Sequence, residues 1–170
     1  MATTNGQSHP VAKAGGVPAV AKVIRTERSG LTPSASGIPR RHDGGGSTGP
    51  GGGPAKRVLV IDDEAKFGCL IAGFLMGRGY ETDVVSNSNE ALGALERFGP
   101  QIVLLDVRMP GLSGLELLKR IRATPAPPRV IMVTAMDSPD ILDEAMDNGA
   151  EGYLCKPIDL NQLAQLIAEL

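Results

Sequence analysis

A chain of 170 residues has room for one ordinary domain and a tail, and 42% hydrophobic content with near-zero mean hydropathy suits a soluble globular protein. No apolar stretch is long enough to cross a bilayer and no charged N-terminus leads into an apolar run. Both facts speak against a membrane span or a secretory leader, and for a cytoplasmic protein. The net charge of −2 hides two regions, since residues 1–55 carry six basic and two acidic side chains and the remainder eleven and seventeen.

Residues 1–55 contain no aromatic side chain and are crowded with Gly, Pro, Ser and Thr, so they read as a disordered basic tail. The stretch from Gly44 to Pro54 is a flexible linker by composition. Val17 to Arg28 has local helical potential but is too short to hold alone. With its charges so scattered, a dispensable extension is favoured over a basic interaction segment. His9 and His42 have no partner at zinc-like spacing and are given no chemical role.

From Lys56 the pattern changes to strands alternating with amphipathic helices, which defines a domain over residues 56–170. Arg57 to Ile61 is a strand. Glu64 to Gly77 is a helix with Phe67, Leu70, Ile71, Phe74 and Leu75 on one face. Gly79 turns the chain into a second strand, Tyr80 to Val85. Asn87 and Glu90 have N-cap and N3 spacing for a helix reaching Phe98, and Gly99-Pro100 stops it. A third strand follows, then a loop from Val107 to Ser113, then a helix from Gly114 to Ala123. After Pro125, Pro127 and Pro128 comes a fourth strand. Ser138 and Pro139 have the character of N-cap and N1 for a helix ended by Gly149. Asp159 can cap the last helix, striped by Leu160, Leu163, Leu166, Ile167 and Leu170. Cys69 and Cys155 lie in apolar contexts and read as two buried thiols.

The ends of the apolar runs carry the chemistry. Val58 to Ile61 runs into Asp62-Asp63, Ile102 to Leu105 into Asp106, Val130 to Val133 into Thr134, and Gly152 to Cys155 into Lys156-Pro157. The second strand alone ends without such a group. Five strands with alternating helices predict a doubly wound α/β fold, a parallel sheet covered on both faces. Right-handed crossovers and the flavodoxin-like strand order 2-1-3-4-5 bring Asp62-Asp63 beside Asp106 at the switch point, flanked by Thr134 and Lys156. Three such carboxylates call for a hard divalent cation. With a hydroxyl and a lysine beside them, they make a place for a phosphoryl group.

The segments RVLVIDDE, QIVLLDVRMPGLSGLELL, VIMVTA and GAEGYLCKP, in this order and spacing, resemble the receiver domain of bacterial response regulators of the CheY-like, single-domain type. The resemblance spans about Lys56 to Leu170. It implies a phosphoacceptor switch in a two-component phosphorelay, with Asp106 taking a phosphoryl group from a sensor histidine kinase or histidine phosphotransferase. It implies Mg²⁺ held by Asp62, Asp63, Asp106 and the backbone carbonyl of Arg108. Lys156 and Thr134 would contact phosphoryl oxygens, and Tyr153 would act with Thr134 as a switch for the surface of the fourth helix, fifth strand and fifth helix. It further implies a cis bond before Pro157 and a glycine, Gly114, opening the third helix. Arg108 and Met136, two residues after Asp106 and Thr134, border the approach of an attacking water and are expected to modulate phosphoryl lifetime.

Two other classes compete. An aspartate-nucleophile phosphatase of the haloacid dehalogenase type needs an acidic residue two after its nucleophile, where this chain has Arg108. A non-phosphorylated adaptor keeping only the fold would be expected to have lost at least one of the five polar residues. No helix-turn-helix follows Leu170, so nucleic acid is not an expected partner. The chain is read as a monomer or a phosphorylation-dependent dimer acting on an unidentified protein target. It is not read as an enzyme, beyond self-catalysed phosphoryl uptake and loss.

Overall fold

In a computed structural model the described residues are 54–135 and 139–170. The proposed tail, Met136 and the Ser138 cap therefore fall almost wholly outside them. Strands β1 (Arg57–Ile61), β2 (Glu81–Val85), β3 (Ile102–Asp106), β4 (Arg129–Thr134) and β5 (Gly152–Cys155) form one parallel sheet. Its order is β2-β1-β3-β4-β5, as expected. Helices α1 (Ala65–Met76), α2 (Ala91–Phe98), α3 (Gly114–Arg122), α4 (Pro139–Asp147) and α5 (Leu160–Glu169) fill the crossovers.

The core lies in two layers, one on each side of the sheet. Val58, Val60, Leu104, Ile131 and Val133 meet Ile71 and Leu75 of α1 and Leu163, Leu166 and Ile167 of α5. Leu59, Ile61, Leu105 and Met132 meet Ala91 and Leu95 of α2, Leu117 and Ile121 of α3 and Ala145 of α4. Successive strand residues point to opposite faces, so β1, β3 and β4, covered on both, must be apolar along their length. An aliphatic core of this kind supplies most of the favourable free energy of folding.

Several local expectations are corrected. Leu70 is 62% exposed instead of sharing the buried face of α1. That face is centred on Gly68, Ile71, Ala72 and Leu75, and at 100° per residue Leu70 stands about 160° round from Gly68. The apolar arc of α1 is wider than the strip the sheet can cover. Cys69, its neighbour, is exposed for the same reason, whereas Cys155 is half-buried; neither is in a disulfide.

Helix α2 begins at Ala91, a turn later than Asn87 suggested. The Asn87 side-chain oxygen does accept from the Asn89 amide at 3.0 Å and its nitrogen reaches Glu90 at 3.3 Å. Residues 88–90 nevertheless form a tighter turn, with the Glu90 amide donating to the Asn87 carbonyl and the Ala91 amide to the Ser88 carbonyl, and regular α-helix starts only after it. Strand β2 begins at Glu81, with Tyr80 buried just before it. Helix α3 carries a full capping box, Ser113 with Glu116, on an S-x-x-E spacing that is plain in the sequence. The Asp159 cap of α5 is present, accepting from Asn161 at 2.7 Å.

Candidate functional site

The chain leaves β1 at Ile61, paired with Leu105 of β3, so Asp62 and Asp106 emerge side by side at the C-terminal edge. The Asp62 amide still donates to the Val85 carbonyl at 3.1 Å and the Val107 amide to Val133 at 2.9 Å. These ladder bonds pin both acidic residues just as the sheet ends. Asp62 and Asp106 are 1% and 4% exposed, whereas Asp63 points to solvent. One carboxylate oxygen from each of the three lies within 4.8 Å of the others.

Lys156 closes the cluster from β5. Its Nζ lies 2.6 Å from Asp62 Oδ2 and 3.0 Å from Asp106 Oδ2. The Lys156 amide donates to the Thr134 carbonyl at 2.7 Å, which ties the ends of β4 and β5 together. The Lys156–Pro157 bond is cis, as the resemblance implied. Thr134 itself is buried at 1% exposure, one residue beyond the rung that pairs Asp106 with Val133.

Burial holds the Asp62 carboxyl above its ordinary value, and the nearby Asp106 charge adds to this against the hydrogen bonds from Lys156 and the Glu64 amide. Burial also works against the Lys156 ammonium, but the hydrogen bonds and charges of Asp62 and Asp106 outweigh it and leave Lys156 above its ordinary value. A single ammonium thus serves two buried carboxylates, with a third nearby. A hard cation with oxygen ligands fits this donor set. Asp62, Asp63 and Asp106 are the only such cluster of three among the described residues.

Other expected residues are placed more loosely. The Arg108 amide donates to Asp106 Oδ1 at 3.2 Å, while its side chain is exposed. Tyr153 is half-buried against the core layer on the α4 side and is not part of the carboxylate cluster. Gly114 is required by a close approach: a Cβ there would overlap the Asp106 carbonyl oxygen and stand 2.8 Å from Val107 Cα. Helix α3 therefore starts directly against the end of β3.

Two contributors escaped the sequence reading. Ser88 Oγ donates to the Pro110 carbonyl at 3.0 Å and accepts from the Leu112 amide at 3.2 Å, tying the loop after β2 to the loop after Asp106. The Phe67 ring lies 4.4 Å from Lys156 Nζ. Neither carries a spacing signal, because both contacts join segments far apart in the chain.

Comparison with known proteins bears on the whole described domain. Residues 58–168 match the family model described as the response regulator receiver domain. Over 106 residues the chain is 39% identical to the transcriptional regulatory protein YkoG of Bacillus subtilis, covering 62% of this chain and 46% of that protein. Over 112 residues it is 30% identical to sporulation initiation phosphotransferase F of the same organism, covering 66% of this chain and 90% of that one. A CheY-like receiver domain structure from Methanospirillum hungatei superposes with a TM-score of 0.65 at 28% identity, covering 68% of this chain and 92% of that one. The chain spans less than half the length of YkoG, but nearly all of the phosphotransferase.

Proposed function

The chain belongs to the response regulator receiver domain family, and on that premise we propose that Asp106 is the phosphoacceptor of a two-component phosphorelay. The observation that carries the reading is the buried Asp106 carboxylate at the end of β3, clustered with Asp62 and Asp63 and hydrogen-bonded to Lys156. In the proposed step an Asp106 oxygen bonds to phosphorus as the bond to a histidine nitrogen of the donor breaks. That nitrogen keeps the electron pair, and an acyl phosphate remains on Asp106.

The chain's own groups account for the rest. Lys156 exchanges its contact with Asp106 for a phosphoryl oxygen, which a mobile ammonium does at little geometric cost. The Thr134 hydroxyl donates to another phosphoryl oxygen. Asp62, Asp63, Asp106 and the Arg108 carbonyl are the proposed Mg²⁺ ligands. A bound Mg²⁺ would offset the negative charge that gathers as carboxylate and phosphoryl group approach, which is the main requirement of phosphoryl transfer. The hydrogen bond from Thr134 to the phosphoryl group, with Tyr153 on the neighbouring strand, is the proposed route by which the surface of α4, β5 and α5 changes its partner binding. The exposed Arg108 side chain, with Met136, is proposed to shield the product from water.

The domain division follows the same reading, with residues 1–55 a tail and linker and 56–170 the receiver. Its donor is a histidine kinase or histidine phosphotransferase, and its output is binding to a downstream protein. The phosphatase alternative is disfavoured by Arg108, which turns a backbone amide and no acid toward Asp106. The test is incubation with Mg²⁺ and acetyl phosphate, followed by assay for an acid-stable, alkali-labile adduct. Asp106→Asn should lose the adduct while keeping the melting midpoint near wild type. Undiminished adduct on that variant overturns the assignment.

A further inference from the structure

We infer that Phe67 is a positioning residue for Lys156, an inference that rests on the phosphoacceptor reading above. The Phe67 ring centroid stands 4.4 Å from Lys156 Nζ, within cation–π distance. An ammonium has three N–H donors. In this structure two acceptors, Asp62 Oδ2 and Asp106 Oδ2, lie at 2.6 and 3.0 Å, and the ring face meets the same nitrogen. The Lys156 side chain is only 17% exposed, so the ring stands where solvent would otherwise compete.

Phe67 is held firmly enough for this. It sits in the first turn of α1, five residues after Asp62, half-buried against the core layer that includes Ile71 and Leu75. Gly68, the next residue, lets α1 lie close on β2, since a Cβ there would meet Val84 Cγ1 at 2.7 Å. The helix that follows the acidic pair therefore carries the ring to the lysine that serves it. Two elements far apart in sequence are coupled through one nitrogen.

The chemistry of the step gives this contact a use. Lys156 must surrender a carboxylate oxygen and take a phosphoryl oxygen. A ring face attracts the cation without offering a lone pair, so it holds the nitrogen near the site without fixing the direction of its N–H bonds. A water in the same place would form a directional hydrogen bond that must be broken. Phe67 thus keeps the ammonium dry, centred and free to turn.

The experiment replaces Phe67 by phenylalanines of increasing ring fluorination, which weaken the negative ring face while keeping its shape. Phosphoryl uptake from acetyl phosphate should fall stepwise along the series, by about threefold to tenfold at its end. In the Mg²⁺-free protein, the upfield ring-current shift of the Lys156 ε-methylene protons should be lost in Phe67→Leu and kept in Phe67→Tyr. Melting midpoints show that each variant is folded, and the fluorinated series stands in if Phe67→Leu is not. A flat rate across fluorination, or Lys156 shifts unmoved by Phe67→Leu, overturns the inference. An adduct surviving Asp106→Asn overturns instead the phosphoacceptor reading beneath it.

Discussion

Strands β1 and β2 are neighbours of equal length, yet they are built by different rules. Strand β1 is buried at every position after Arg57, whereas β2, at the sheet edge, alternates exposed and half-buried residues until Val85. Leu59 of β1 is fully buried and faces the exposed Asp83 of β2 across one rung. Carboxylates of the candidate site stand at the ends of β1 and β3, and none stands at the end of β2. A strand clamped between two helical layers ends at a fixed point in space, which a site for phosphoryl chemistry needs. An edge strand, free on one side, has less to hold its end. Lys156, which follows the other edge strand β5, is held by the hydrogen bond from its amide to the Thr134 carbonyl and by its contacts with Asp62 and Asp106.

The contrast can be broken along the Leu59–Asp83 rung. Leu59→Ala should cost about 2–5 kcal/mol in chemical denaturation, as lost burial and a cavity add, while Asp83→Ala should stay within about 0.5 kcal/mol. Similar losses at both positions would show that the edge strand is as constrained as the centre.

Two glycines sharpen it further. At Gly114 an added methyl overlaps the carbonyl oxygen of Asp106, and at Gly68 it meets a methyl of Val84 at 2.7 Å. Backbone at the end of a central strand cannot give, whereas a valine on the edge strand can shift. Gly114→Ala should therefore lose about 1–3 kcal/mol or more and impair the site. Gly68→Ala should change stability by less, because the helix propensity of alanine offsets the contact by about 1 kcal/mol. Melting of the two variants side by side decides the matter.

The same division runs through the carboxylates. Asp62 and Asp106 are buried and shared by Lys156, while Asp63 is exposed. Asp63→Ala should leave the fold intact and weaken Mg²⁺ binding by on the order of tenfold, since two carboxylates and the Arg108 carbonyl remain. Equal affinity by calorimetry in wild type and variant would remove Asp63 from the ligand set.

The smallest effect lies at the start of α3. Ser113→Ala should cost about 1 kcal/mol through loss of the cap. Its partner Glu116 has a carboxyl held below its ordinary value by hydrogen bonds from the Ser113 amide and hydroxyl, with smaller help from Arg120 and Lys119. A carboxyl depressed in the folded state stabilises it at pH values above the unfolded-state value. That contribution fades as pH falls through the folded value. Wild type should therefore lose more stability than Ser113→Ala on acidification across the carboxylate range.

Much of the fold is legible in the sequence because it rests on local pattern. Apolar runs, helical stripes and Gly-Pro punctuation suffice for the strands and helices, and right-handed crossovers leave few ways to order them. The errors share a cause. Periodicity puts Leu70 in the core and apolar context buries Cys69, because the apolar arc of α1 is wide and only the sheet's position says which part of it is covered. Asn87 has the spacing of a cap and its side-chain oxygen bonds the Asn89 amide, but the turn that follows is tighter than an α-helix, which starts only at Ala91.

By itself the sequence determined which chemistry was available: acidic, hydroxyl and ammonium groups at the ends of apolar runs, in an order that a parallel sheet gathers at one edge. Covalent order decides this, since each run delivers its own terminal residue. Tertiary structure alone decided how those groups meet. It placed one lysine between two buried carboxylates, a phenylalanine ring beside that lysine, and a serine between two loops. Such contacts depend on helix rotation and loop path to within an ångström. Side-chain packing sets those quantities, and no local spacing in the chain encodes them.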